Sequence, residues 1–250
     1  MGDQMRDHRA DRGYFDELIE ANQAAVVDGR RDAADTDLKA DDIELYVDLL
    51  QIYRTAAYTL TNASYSRGDP IPVVREHATE LITAEALYRQ HQPLTGAGAY
   101  TFASHPAQYL QPLQVLSLSL LLQIEAGRTE LIAATGSQGM DSIYDFLADP
   151  AHSIDGIGDQ VAWPKPYALL LESVRSRSPE RMQKFLETWY NNSRKAPWWG
   201  THLSIEGGDR RYSGYWCYEA AAVTKILQID DSTYRDNEYY PRDLLQPTEG

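Results

Sequence analysis

Leu110-Gln111-Pro112-Leu113-Gln114-Val115-Leu116-Ser117-Leu118-Ser119-Leu120-Leu121-Leu122-Gln123-Ile124 carries no charged side chain, and its apolar residues recur on nearly every side of a helical turn. A helix apolar almost all round belongs inside a bundle, so the stretch predicts an all-α chain built about it. Its most apolar part, Leu113–Ile124, falls short of the roughly 20 residues that cross a bilayer. Gly127 is placed to end it.

Toward the N-terminus the apolar spacing stays helical. Val73, Val74, His77, Ala78, Leu81, Ile82 and Tyr88 mark one helix, and Gly96 and Gly98 the loop after it. Tyr65-Ser66-Arg67-Gly68-Asp69-Pro70 is a turn, because Gly admits unusual backbone angles and Pro blocks a continuing helix. Tyr46, Leu49, Leu50, Tyr53, Ala57 and Leu60 form a longer stripe before it. Phe15, Leu18, Ile19, Asn22, Ala25 and Val26 form the first, with Gly29 as its expected end and 29–40 as a charged linker.

Toward the C-terminus the punctuation is denser. Asp141–Leu147 reads as a short helix stopped near Pro150, and 153–158 as a loop. Pro166–Val174 and Pro179–Tyr190 are helices opened by proline, the second with Ser178 as N-cap. A final helix is expected over Tyr215–Gln228, with a tail anchored by Tyr239-Tyr240-Pro241. The change near Ala126–Thr129 divides the chain into two helical parts, a short N-terminal half (10–126) packed on a C-terminal half (127–245). Residues 1–9 and 246–250 are expected as flexible tails. No fixed-period repeat supports a solenoid.

Charge narrows the function. The 250 residues carry 23 Lys and Arg against 37 Asp and Glu, a formal net charge of −14, which disfavours nucleic acid and anionic membranes as partners. The acids concentrate between Asp28 and Asp48, eight against three bases. Asp41 and Asp42 are read there as helix-start residues. The same run also suits a basic, DNA-contacting protein face, its carboxylates taking the places of phosphates and speeding encounter.

Chemistry has little support. Among the six histidines, His8, His77, His91, His105, His152 and His202, no pair has the four-residue helical spacing of a zinc site. Cys217 is the one cysteine, so neither an internal disulfide nor a cysteine zinc site can form, and a buried structural thiol is expected. No nucleophile elbow, phosphate loop or dinucleotide fingerprint occurs. Glu206, Asp209, Glu219, Asp230 and Asp231 lie among Trp163, Trp189, Trp198, Trp199 and Trp216, a set that a sugar-cleaving helical barrel would use. Trp packing and carboxylate caps explain the same residues. No catalytic residue, metal or cofactor is therefore expected. The polar start, Met1-Gly2-Asp3-Gln4-Met5-Arg6, has no signal-peptide core, and a cytoplasmic location is expected.

Trp198-Trp199, then Gly214-Tyr215-Trp216-Cys217-Tyr218-Glu219-Ala220-Ala221-Ala222-Val223, Ile229-Asp230-Asp231-Ser232 and Tyr239-Tyr240-Pro241-Arg242-Asp243-Leu244 resemble the signature of PoNi-type immunity proteins. Residues 65–71 and Leu116-Ser117-Leu118-Ser119-Leu120 resemble the N-terminal part of that family. The resemblance implies a two-part, all-helical bacterial protein encoded beside a PoNe-type DNase toxin delivered by contact-dependent or type VI secretion. It implies binding of that nuclease, a basic partner, and blocking of its substrate access without chemistry of its own. Trp198, Trp199, Gly214, Tyr215, Trp216, Glu219, Asp230, Asp231, Tyr240 and Pro241 are then scaffold residues, and Glu219 in an apolar helix needs a buried partner. The grip on the partner is expected at Asp35, Asp37, Asp41, Asp42 and Glu44, and next at Asp236 and Glu238. A homodimer stays open. The rivals are a helical carbohydrate hydrolase and a helical scaffold unrelated to toxins.

Overall fold

The computed structural model describes residues 4–95, 105–151 and 157–245. The Gly96 and Gly98 loop, His152 and most of the 153–158 loop lie outside them, as do 1–3 and 246–250. Among the described residues there are α-helices and short 3₁₀ turns but no strand. The α-helices are α1 (Arg12–Ala33), α2 (Thr36–Asp41), α3 (Ile43–Arg67), α4 (Ile71–His91), α5 (Pro106–Leu121), α6 (Arg128–Thr135), α7 (Ser142–Ala148), α8 (Pro164–Ser176), α9 (Pro179–Asn192) and α10 (Tyr218–Leu227). They group into two compact units, each assembled from segments distant in sequence.

The first unit comprises Met1–Tyr100, Glu125–Thr135 and Gly200–Gly214. Within it α1 packs on α3, α3 on α4, and α4 on α6. Gly29 does not end α1, which continues to Ala33. A β-carbon there would stand 2.6 Å from that of Tyr53, so glycine lets the two helices approach. Helix α3 closes as its turn signal required, on Gly68 at φ 99°, whose N–H donates to the carbonyls of Ser64 and Tyr65.

A buried ion triad ties α3 to α4. Glu85 accepts from Arg89 Nε at 2.6 Å and from Arg54, whose guanidinium lies 3.8 Å from the Tyr88 ring centre. Burial works against the Glu85 charge, but the two guanidinium groups outweigh it and hold the carboxyl below its usual range. Part of the expected N-terminal tail is built into the unit. Arg6 donates to the carbonyls of Tyr65 and Asp69, and buried Asp7 accepts from Tyr212.

The second unit comprises Thr101–Ile124, Gly136–Trp199 and Tyr215–Gly250. The leucine-rich helix α5 has most of its side chains buried, Ser117 and Ser119 included. It ends at Leu121, before the expected Gly127. Gln123 takes a left-handed turn at φ 55°, and the Lys225 ammonium donates to the Leu121 carbonyl at 2.6 Å. Helix α10 packs on α5, and its Ala220, Ala221 and Ala222 are all fully buried. Helices α8 and α9 form a hairpin in which Arg177 turns left-handed and Ser178 caps α9 through the Arg181 N–H.

Candidate functional site

Two sets of residues are candidates: the aromatic and carboxyl core of the second unit, and the acidic surface of the first. In the core, α9 supplies Trp189 and Tyr190, and the turn after it supplies Trp198 and Trp199. Trp189 stacks on Trp198 at 5.0 Å between ring centres, and Tyr190 on Trp199 at 5.6 Å. Tyr190 also lies against Tyr215 and Tyr239, making it the hub. The indole faces of Trp189, Trp198 and Trp199 are turned to other rings of this chain, which is packing rather than an open sugar platform.

The final helix starts three residues later than expected. Gly214, at φ 120°, leads into Tyr215, Trp216 and Cys217 before α10 opens at Tyr218. Those three side chains are buried, so Cys217 is the structural thiol expected of it but lies at the N-cap rather than inside the helix. Its N–H donates to the Tyr239 carbonyl at 2.8 Å, which ties the C-terminal segment down. Tyr240 and Pro241 are buried beside that contact in sequence.

Glu219 lies in the first turn of α10 with none of its surface exposed. The Tyr167 hydroxyl of α8 donates to Oε1 at 2.8 Å, whereas Oε2 has no hydrogen-bond partner. Burial pushes the carboxyl up to about 7, against the pull of the Tyr167 hydroxyl and the Cys217 thiol. A glycosidase carboxyl must meet substrate and water at an open cleft. Glu219 is sealed from both.

Asp231 accepts from Arg235 at 2.8 Å and from the Tyr240 hydroxyl at 3.4 Å, while exposed Asp230 accepts from the Ser232 N–H at 3.0 Å. Both secure the turn after α10. The second-choice interface acids lie just beyond them. Asp236 is exposed and paired with Arg242, and Glu238 is exposed.

The acidic surface runs from the end of α1 to the start of α3. Asp35 caps α2 through the Asp37 and Leu38 N–H groups, and Asp42 caps α3 through that of Leu45. Asp37 and Glu44 lie in the first turns of those helices, where the dipole favours a carboxylate. Asp41 is not a helix-start residue: it is the last residue of α2. All five are exposed. Two of the three bases of the run are ion-paired, Arg30 with Glu80 at 2.7 Å and Arg31 with Asp28 and Asp32, while the exposed Lys39 ammonium lies 5.9 Å from the Tyr46 ring centre and keeps its charge. Among the described residues none of the five acids, nor Asp48, has an ion-pair partner, and Lys39 is the one unpaired base among them.

Sequence reasoning missed Tyr167 as the partner of Glu219 and Tyr190 as the aromatic hub. No local spacing joins residues 167 and 219; only the rule that a buried carboxyl seeks a donor pointed to such a partner. Among the described residues no group of His, Cys, Asp and Glu is arranged to hold a metal ion. Nor is any helix there long and apolar enough to cross a membrane.

Residues 139–244 match the family model of PoNe immunity proteins (PoNi), C-terminal. All ten signature residues from Trp198 to Pro241 fall within that span. The chain is also similar to the crystal structure of protein PA2201 from Pseudomonas aeruginosa, with 17% identity and a TM-score of 0.72 over 98% of this chain and 90% of that one. At that identity the likeness shows the fold alone. No curated protein matches the chain in sequence.

Proposed function

We propose that this chain is an immunity protein that binds a cognate bacterial DNase toxin in the producing cell and blocks its access to DNA. The match of residues 139–244 to the PoNe immunity family carries the reading. The chemistry of the two candidate sets supports it. The Glu219 carboxyl is sealed in the core, and acids without an ion-pair partner among the described residues lie on the surface, where they can meet a basic protein.

In this reading the chain acts in the cytoplasm, without catalysis or cofactor, against a toxin of contact-dependent or type VI delivery. The signature belongs to the C-terminal half, 127–245, and serves as its scaffold. Contact is made through Asp35, Asp37, Asp41, Asp42 and Glu44 in the N-terminal half, with Asp236 and Glu238 as a second patch. A nuclease surface that normally holds phosphates presents basic groups, and a carboxylate array competes for them.

Co-expression tests this. Cells carrying the nuclease encoded beside this gene should survive when the chain is produced and die when it is not. Continued killing at full expression of the folded chain contradicts the proposal.

A further inference from the structure

We infer that the exposed face of α3 around Leu45 and Ile52 is the apolar anchor of a protein interface, and that its occupant is a basic protein surface with an apolar recess between its cations. The inference rests on the functional reading above and names the contact within it. Helix α3 buries Tyr46, Val47, Leu50 and Tyr53 on one side. Leu45 and Ile52 lie off that stripe, with 46% and 58% of their surfaces exposed. Seven residues apart on a helix, they point within about 20° of each other and stand about 10 Å apart along the axis, two exposed apolar side chains in one line.

Scattered exposed apolar residues need no explanation, and this aligned pair carries the inference only together with its charged surroundings. Their surroundings select the occupant. Exposed Glu44 and Asp48 stand on the same outer face, and Asp41 and Asp42 precede it in the chain. Among the described residues no cation is ion-paired with these four acids. An apolar centre inside a charged rim is the anatomy of a protein contact in which the centre holds and the rim steers. A second copy of this chain would bring like charges together around the pair. Anionic lipid and nucleic acid would be repelled in the same way. A surface rimmed by Lys and Arg is drawn in.

The test uses the full chain and the nuclease domain encoded beside its gene, with binding rates measured from low to high salt. Leu45→Ser/Ile52→Ser removes the centre and leaves the rim; Glu44→Gln/Asp48→Asn neutralises the rim and leaves the centre. The serine pair should dissociate at least about tenfold faster while association keeps its salt dependence. The amide pair should associate more slowly at low salt and approach the parent rate at high salt. Unchanged thermal melts show that the variants are folded; should the serine pair unfold, Ile52→Ser alone carries the test. Parent-like dissociation of the folded serine variant overturns the anchor while leaving the functional reading standing. A parent chain that dimerises, with a monomeric serine variant, puts a second copy on this face and overturns it too. If the parent chain does not bind the nuclease at all, the functional reading falls and the anchor with it.

Discussion

With one oxygen of Glu219 held by Tyr167 and the whole carboxyl buried, folding favours the neutral acid relative to the unfolded chain. Tyr167 from α8, Tyr109 from α5 and the Cys217 thiol face it electrostatically, and none supplies a positive charge. The carboxyl gives up its proton near 7 when folded and near 4.5 when unfolded. Folding therefore takes up a proton between those values. The stability it contributes is full below about 4.5, declines as pH rises and is gone above about 7, a swing of about 3 kcal/mol at most. Glu219→Gln should flatten this part of the pH profile and melt higher than the parent chain at pH 8. Denaturant unfolding of both proteins at pH 5 and pH 8 checks it, and equal slopes would contradict it. That Glu219 needs a partner is legible in the sequence, since a charged residue among Ala220, Ala221 and Ala222 must be satisfied or neutralised. Which partner it has is not, because residue 167 reaches it only through the packing of α8 on α10.

Helix starts are more legible than helix ends because a start is written in one or two residues. Ser178 with Pro179 opens α9 where expected, since a side-chain oxygen meets an orphan N–H and proline has none to lose. Ends are harder to read because glycine has two uses. At Gly68 it supplies a left-handed turn; at Gly29 it supplies room for Tyr53, and α1 runs on. Gly127 likewise follows a helix that Gln123 has already closed. Helix α6, with eight residues and only Leu131 and Thr135 buried, has too little periodicity to announce itself. The acidic run mixes two roles that substitution can separate. Asp42→Ala uncaps α3 and should cost about 1 kcal/mol, whereas Asp42→Asn keeps the cap and removes the charge. Thermal melts of the two variants should differ by that amount, and equal melts would show that Asp42 does not stabilise the helix start.

For the molecule as a whole, composition speaks to partners and not to fold, and the run from Asp28 to Asp48 carries eight acids against three bases. Reversing Asp35, Asp37, Asp41 and Asp42 to Lys takes the formal net charge from −14 to −6, a change of two for each residue. Association with a basic nuclease should then slow by about tenfold or more at low salt, and the difference should shrink as salt screens the field. Stopped-flow or surface binding checks this, and an unchanged rate at low salt would remove the acidic surface from the account. The all-helical class was legible from the periodicity of nearly every segment, and the family signature from residues 198–244. The proposed contact surface was only half legible. The acids stand out as a run, but Leu45 and Ile52 show themselves only by lying off a stripe whose burial has to be seen. The most direct test of the whole account is to titrate the neighbouring nuclease with the purified chain and follow DNA cleavage. Cleavage should fall linearly and vanish near one chain per nuclease, with no turnover by the chain itself; cleavage that persists at a large excess of folded chain would contradict the claim that it works by covering another protein's surface.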